Sequence, residues 1–133
     1  IPRALSSRNE TAKAHRWAKS KARDVWAADL KAVKRAMGIP DATGVRIVQI
    51  TRLLGKGQKF HDKDNTDVKP LLDAMKPERI HKGKAKNTLV PGAGLILDDR
   101  THGPNPKLVL REVEQVRAAN GQPATLITIE DVS

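Results

Sequence analysis

One apolar stripe runs through the first third of the chain and dictates a long helix. Ala22, Trp26, Leu30, Val33 and Met37 recur at steps of four and three, which puts them on one helical face. The predicted helix spans about Thr11 to Met37, with Ser7 or Asn9 able to cap its start. Gly38 suits the C-terminal cap, and Pro40 prevents continuation. Arg16, Lys19, Arg23, Lys31, Lys34 and Arg35 lie off the stripe, so the outer face is cationic. A membrane-surface helix would carry a bulkier, less alanine-rich apolar face.

Further elements follow from composition changes along the chain. Gly44 to Leu54 is dense in Val and Ile and reads as a strand, closed by a Gly55-Lys56-Gly57 turn. A shorter helix starts near Asp67, with Val68, Leu71, Leu72 and Met75 as its apolar face. Asp67 can cap it, and Pro70 is tolerated because first-turn amides lack helical partners. Lys76 to Ala93 shows little periodicity and reads as a mobile loop against phosphates. Leu95-Ile96-Leu97 reads as a short strand. Leu108 to Val116 and Thr125 to Glu130 read as a terminal hairpin. The expected fold is α/β (α+β): one domain over residues 1–133, a small mixed sheet of about four strands packed with two main helices.

Charge narrows the function. Lys and Arg number 25 against 15 Asp and Glu, a net charge of +10. A folded chain with this balance most often meets nucleic acid. The chain has no cysteine, which excludes disulfides, thiolate zinc sites and cysteine nucleophiles, and fits a reducing cytoplasm. No apolar run approaches a membrane span, and the opening residues carry no signal-peptide core. Only Trp17, Trp26 and Phe60 are aromatic, too few for a single-strand stacking platform.

Against this basic background stand two acidic pairs, Asp62 with Asp64 and Asp98 with Asp99. Carboxylates on a surface that meets a polyanion need a cation between them and the phosphate. Alternation puts Asp62 and Asp64 on the same side of an extended backbone. Mg²⁺ takes hard oxygen ligands, usually a few carboxylates with water and substrate phosphate. Asp62, Asp64 and Asp99 are the candidate ligands, with Asp98 a fourth. Each one alone is ordinary turn or cap chemistry; the argument rests on the two pairs together. Lys69, just past the acidic run, can stabilise charge on a scissile phosphate.

Competing motifs fail. Asp62 and Asp64 match the first ligands of a calcium loop, but Asp67 stands where that loop needs Gly and Pro70 interrupts it. His15, His61, His81 and His102 lack metal-ligand spacing. Neither Gly55-Lys56-Gly57 nor Pro91-Gly92-Ala93-Gly94 ends as a phosphate loop does, so no nucleotide cofactor is expected.

The stretch from Asp62-Lys63-Asp64-Asn65 through Lys69 and Leu72-Asp73-Ala74-Met75, followed by Gly94-Leu95-Ile96-Leu97-Asp98-Asp99, resembles the RusA family of Holliday junction resolvases of bacteria and phages. Here the lysine falls one residue later after Asn65 than is usual, His61 precedes the first aspartate, and residues 76–93 form a longer connection. The resemblance implies a homodimeric endonuclease using Mg²⁺, with Mn²⁺ able to stand in for it. Its metal-binding aspartates would be Asp62, Asp64 and Asp99, and its essential lysine Lys69. The partner would be branched DNA, especially four-way junctions, in a bacterial cytoplasm. Arg16, Lys19, Arg23, Lys56, Lys59, Lys82, Lys84 and Lys86 are the expected phosphate contacts. Two alternatives stay open: a non-catalytic branched-DNA-binding module, and a metal nuclease for other branched DNA.

Overall fold

A computed structural model describes residues 1, 2, 5, 16–60 and 67–132, with the helix side chains described from residue 20 onward. Its elements run α1 (Arg16–Met37), β1 (Arg46–Leu54), α2 (Lys69–Met75), β2 (Pro77–Lys82), β3 (Asn87–Ala93), β4 (Leu108–Leu110), β5 (Glu114–Arg117) and β6 (Ala124–Asp131). Among the described residues this is a mixed α+β fold: two helices, a four-stranded sheet and a separate antiparallel pair.

The stripe of α1 is only partly covered. Trp26, Ala27 and Leu30 are buried against the sheet side of the molecule. Ala22 is exposed, and Met37 is 71% exposed at the other end. There Val33 and Met37 line an open groove of about 660 Å³ with Leu126, Ile127 and Ile129. The helix ends as its sequence requires. Gly38 takes φ 67, the Ile39 amide donates to Lys34 O at 3.0 Å, and the Gly38 amide donates to Arg35 O at 3.3 Å. These two bonds form the double cap that only a left-handed residue permits without strain.

β1 is the axis of the sheet. β6 pairs with it antiparallel along its length, from Arg46 opposite Asp131 to Leu53 opposite Ala124. The other edge is occupied by two parallel segments, β4 beside Arg46–Val48 and β5 beside Thr51–Leu54. Between them the chain bulges over residues 111–113. The Arg111 amide still donates to Val48 O at 3.0 Å, and Gln49 Nε2 donates to Glu112 O at 2.7 Å. The expected terminal hairpin is therefore corrected. Leu108–Arg117 and Ala124–Asp131 do not pair with each other; β1 lies between them. A short connection suggests a hairpin only when no third strand competes, and the Val- and Ile-rich β1 supplies the buried centre.

Two further expectations change. Residues 76–93 are not a loop but a β-hairpin, with Arg79 opposite Val90 and Lys82 opposite Asn87. Leu95-Ile96-Leu97 is not a strand. The Leu95 and Ile96 amides donate to Met75 O at 2.8 and 3.2 Å, so this apolar triplet crosses the end of α2. The core joins both helices to this crossing: Val48, Ile50, Leu71, Met75, Ile96 and Leu108 are almost fully buried.

β1 also carries two buried arginines on the face it shares with Val48 and Ile50, Arg46 at 3% and Arg52 at 5% exposure. Arg46 donates from Nε to Asp131 Oδ1 at 2.7 Å, from Nη1 to Leu95 O at 2.9 Å and from Nη2 to Pro40 O at 3.0 Å. Arg52 donates to Leu5 O at 3.1 Å, and to Lys59 O and Gln115 Oε1 at 3.2 Å. Guanidinium groups suit this work because their fixed fork serves several oxygens at once. No helix among the described residues is long and apolar enough to cross a membrane.

Candidate functional site

α2 brings the second half of the site together. The Lys69 amide donates to Asp67 Oδ1 at 3.1 Å, so Asp67 does satisfy a first-turn amide, from one residue upstream of the N-cap Val68. Pro70 follows in the first turn without losing a helical bond. Lys69, Asp73 and Lys76 then fall at steps of four and three, on one face of the helix and its C-cap.

That face meets Asp99. Lys69 Nζ lies 3.0 Å from Asp99 Oδ2 and 3.0 Å from Asp73 Oδ1. Lys76 Nζ lies 3.2 Å from Asp73 and 3.9 Å from Asp99. Asp98 turns the other way: its Oδ1 accepts the Asp99 amide at 2.9 Å, and its Oδ2 lies 3.8 Å from Arg100. Arg46, through Leu95 O, anchors the segment that delivers this acidic pair.

The ionisation states follow from these contacts. The hydrogen bond to Asp99 holds the Lys69 ammonium above the ordinary lysine range, against partial burial and with help from Asp73. Partial burial pushes the Asp99 carboxyl upward, but the Lys69 hydrogen bond and the charges of Lys76 and Lys69 outweigh it, leaving it below the usual carboxylate range. At neutral pH Lys69 is therefore a cation and Asp99 an anion. Lys69 suits charge stabilisation at a phosphate oxygen and not proton abstraction.

The fold thus brings Lys69 beside Asp99. Asp62 and Asp64 lie outside the described residues. Among the described residues no group of three potential ligands gathers in metal-binding geometry. Asp98 and Asp99 are hard oxygen donors and fit a magnesium ion chemically, as two members of a larger set.

The approach to the acidic run is braced by residues that sequence reasoning passed over. Arg117 Nη1 donates to Gly55 O at 3.0 Å and Gln58 O at 2.7 Å, and its guanidinium stands 5.3 Å from the Phe60 ring. Arg52 holds Lys59 O. Asp73 and Lys76 were also missed as site residues, although the steps of four from Lys69 to Asp73 and three from Asp73 to Lys76 were legible.

The expected phosphate contacts are spread over the molecule. Lys56 and Lys59 are exposed before the acidic run, and Lys82, Lys84 and Lys86 at the tip of the β2–β3 hairpin. Arg23 lies 3.3 Å from Asp24, which neutralises part of its charge. The side chains of Arg16 and Lys19 lie outside the described residues. No protein-family model, curated protein or solved structure matches the chain.

Proposed function

We propose that the chain is a Mg²⁺-dependent endonuclease that cleaves branched DNA, with the four-way junction as its principal substrate. The observation that carries this reading is the contact of Lys69 with Asp99, 30 residues apart in sequence, which joins the two acidic motifs' flanks.

In this reading Asp62, Asp64 and Asp99 would hold the metal, with Asp98 a fourth candidate. A bound Mg²⁺ supplies charge neutralisation and a more acidic water for attack on phosphorus. Lys69 contributes its ammonium to the phosphate oxygens where negative charge accumulates. Lys76 and Asp73 hold Lys69 and Asp99 in register through the contacts described above. A homodimer supplies two such sites for the matched nicks that a two-fold junction needs. The setting is the cytoplasm of a bacterial cell.

The test is nicking of labelled four-way junction, flap, fork and linear duplex by wild type and by Asp64→Asn with Mg²⁺. Wild type should cut the junction best, and Asp64→Asn should lose nicking while still binding. Full activity in Asp64→Asn would sink the assignment; preference for flap or fork would move the substrate class.

A further inference from the structure

We propose that the β2–β3 hairpin is a nucleic-acid arm whose Ile80–Leu89 pair packs against unstacked bases where the duplex arms of branched DNA meet; this rests on the DNA-cleaving reading above. Ile80 and Leu89 are directly opposed across the ribbon, so their side chains share one face. They are 63% and 60% exposed, whereas Val90, on the opposite face, is buried. Two large apolar groups held side by side on the outer face of a ribbon serve no core. They offer a contact surface to an apolar ligand.

The surroundings identify that partner. From Arg79 to Leu89 the ribbon carries Arg79, Lys82, Lys84 and Lys86 and no acidic residue. None of these four cations takes part in an ion pair among the described residues. The only acidic group of the hairpin, Glu78 at its base, is drawn 3.4 Å from Lys31 of α1. An apolar pair with Lys82 on its own face and Lys84 and Lys86 at the turn beyond it suits a ligand that is flat and apolar on one surface and anionic on another. A nucleobase with its phosphates has that character. A second copy docked through this same face would set its own Lys82, Lys84 and Lys86 against these cations, with repulsion.

The arm is also coupled to the acidic site. β2 starts at Pro77, next to Lys76, whose ammonium faces Asp73 and Asp99. At the other end the Gly94 amide donates to Lys76 O at 3.2 Å, and the chain runs directly on to Asp98 and Asp99. Ile80 lies three residues beyond Pro77, roughly 10 Å along the strand. A base held there would sit on the arm while the adjoining backbone approaches Lys69 and Asp99.

The experiment places 2-aminopurine at the branch point of a four-way junction, with Ca²⁺ replacing Mg²⁺ to suppress cleavage. Wild type should raise its emission as the base unstacks. The double variant Ile80→Ser, Leu89→Ser should lose most of that rise and bind the junction about tenfold more weakly, with linear duplex binding changed by less than about twofold. Circular dichroism checks folding, and Lys84→Glu with Lys86→Glu, at the exposed turn, should weaken both substrates. Wild-type emission in the double variant would overturn the arm while leaving the nuclease reading intact. A changed molar mass of the double variant by light scattering would reassign the apolar pair to a protein interface. Failure of wild type to prefer junction over duplex would remove the branched-DNA reading itself, and the arm with it.

Discussion

Replacing Arg46 with Met tests how the acidic segment is held to the sheet. The guanidinium is 4% exposed and serves three oxygens on three parts of the chain. Met fills similar volume without a donor. Asp131 is 73% exposed and recovers water, so losing that ion pair costs less than about 1 kcal/mol. Leu95 O belongs to a buried residue, and leaving such a carbonyl unpaired costs about 1–3 kcal/mol. Pro40 is exposed, so its carbonyl also recovers water and adds less than about 1 kcal/mol. Relief from keeping a charge in the interior returns about 1 kcal/mol. The net expectation is a loss of about 1–3 kcal/mol for Arg46→Met. Arg46→Lys should fall between, because one ammonium cannot span all three acceptors, and Asp131→Asn should cost under about 1 kcal/mol. Equilibrium urea unfolding, followed by circular dichroism, measures each value, with an unchanged m-value as the check for two-state behaviour. A loss below about 1 kcal/mol in Arg46→Met at unchanged m would refute the reasoning.

Two other substitutions probe the hairpin base and the site lysine. A Cβ on Gly92 would stand 2.1 Å from Lys76 O, a backbone atom that cannot move without opening the ribbon, so Gly92→Ala should destabilise by about 3 kcal/mol and speed proteolysis within residues 77–93. Equal melting and digestion profiles would contradict that close approach. Lys69→Met should lower single-turnover nicking about 10²-fold or more while changing stability by less than about 1 kcal/mol, since the side chain is 65% exposed.

How far the sequence could be read depends on what each element buries. α1 was legible because its stripe and its Gly38 and Pro40 stop signals are local. The β2–β3 hairpin was read as a loop because every residue of β2 is exposed, so no alternation of apolar and polar residues marks it. Its register is carried by backbone pairing, which leaves little trace in composition. Leu95-Ile96-Leu97 has the composition of a short strand, yet it answers the free carbonyl at the end of α2. An apolar triplet cannot distinguish those uses. The insertion of β1 between the last strands is a long-range choice that spacing does not encode. At the candidate site, Asp98 and Asp99 stand out as an acidic pair in a basic chain, and Lys69 by its place after the first acidic run and by the resemblance. Their clamps were not: an arginine such as Arg46 or Arg117 looks like surface charge until its carbonyl partners are known.

The charge balance of the site gives the proposed metal a definite requirement. Asp73, Asp98 and Asp99 face Lys69, Lys76 and Arg100, three carboxylates against three cations. These side chains leave no excess negative charge to hold a divalent ion. Asp62 and Asp64 would add two carboxylates, the charge of one Mg²⁺. Two variants should then move metal affinity in opposite directions. Asp62→Asn with Asp64→Asn should abolish Mn²⁺ binding measured by calorimetry without DNA. Lys69→Met frees an Asp99 oxygen from its ammonium, so it should bind Mn²⁺ more tightly than wild type even as nicking falls. A structural lysine would lower affinity and activity together. Weaker metal binding in Lys69→Met would therefore show that Lys69 builds the site, and that competition with the metal for Asp99 is not its role.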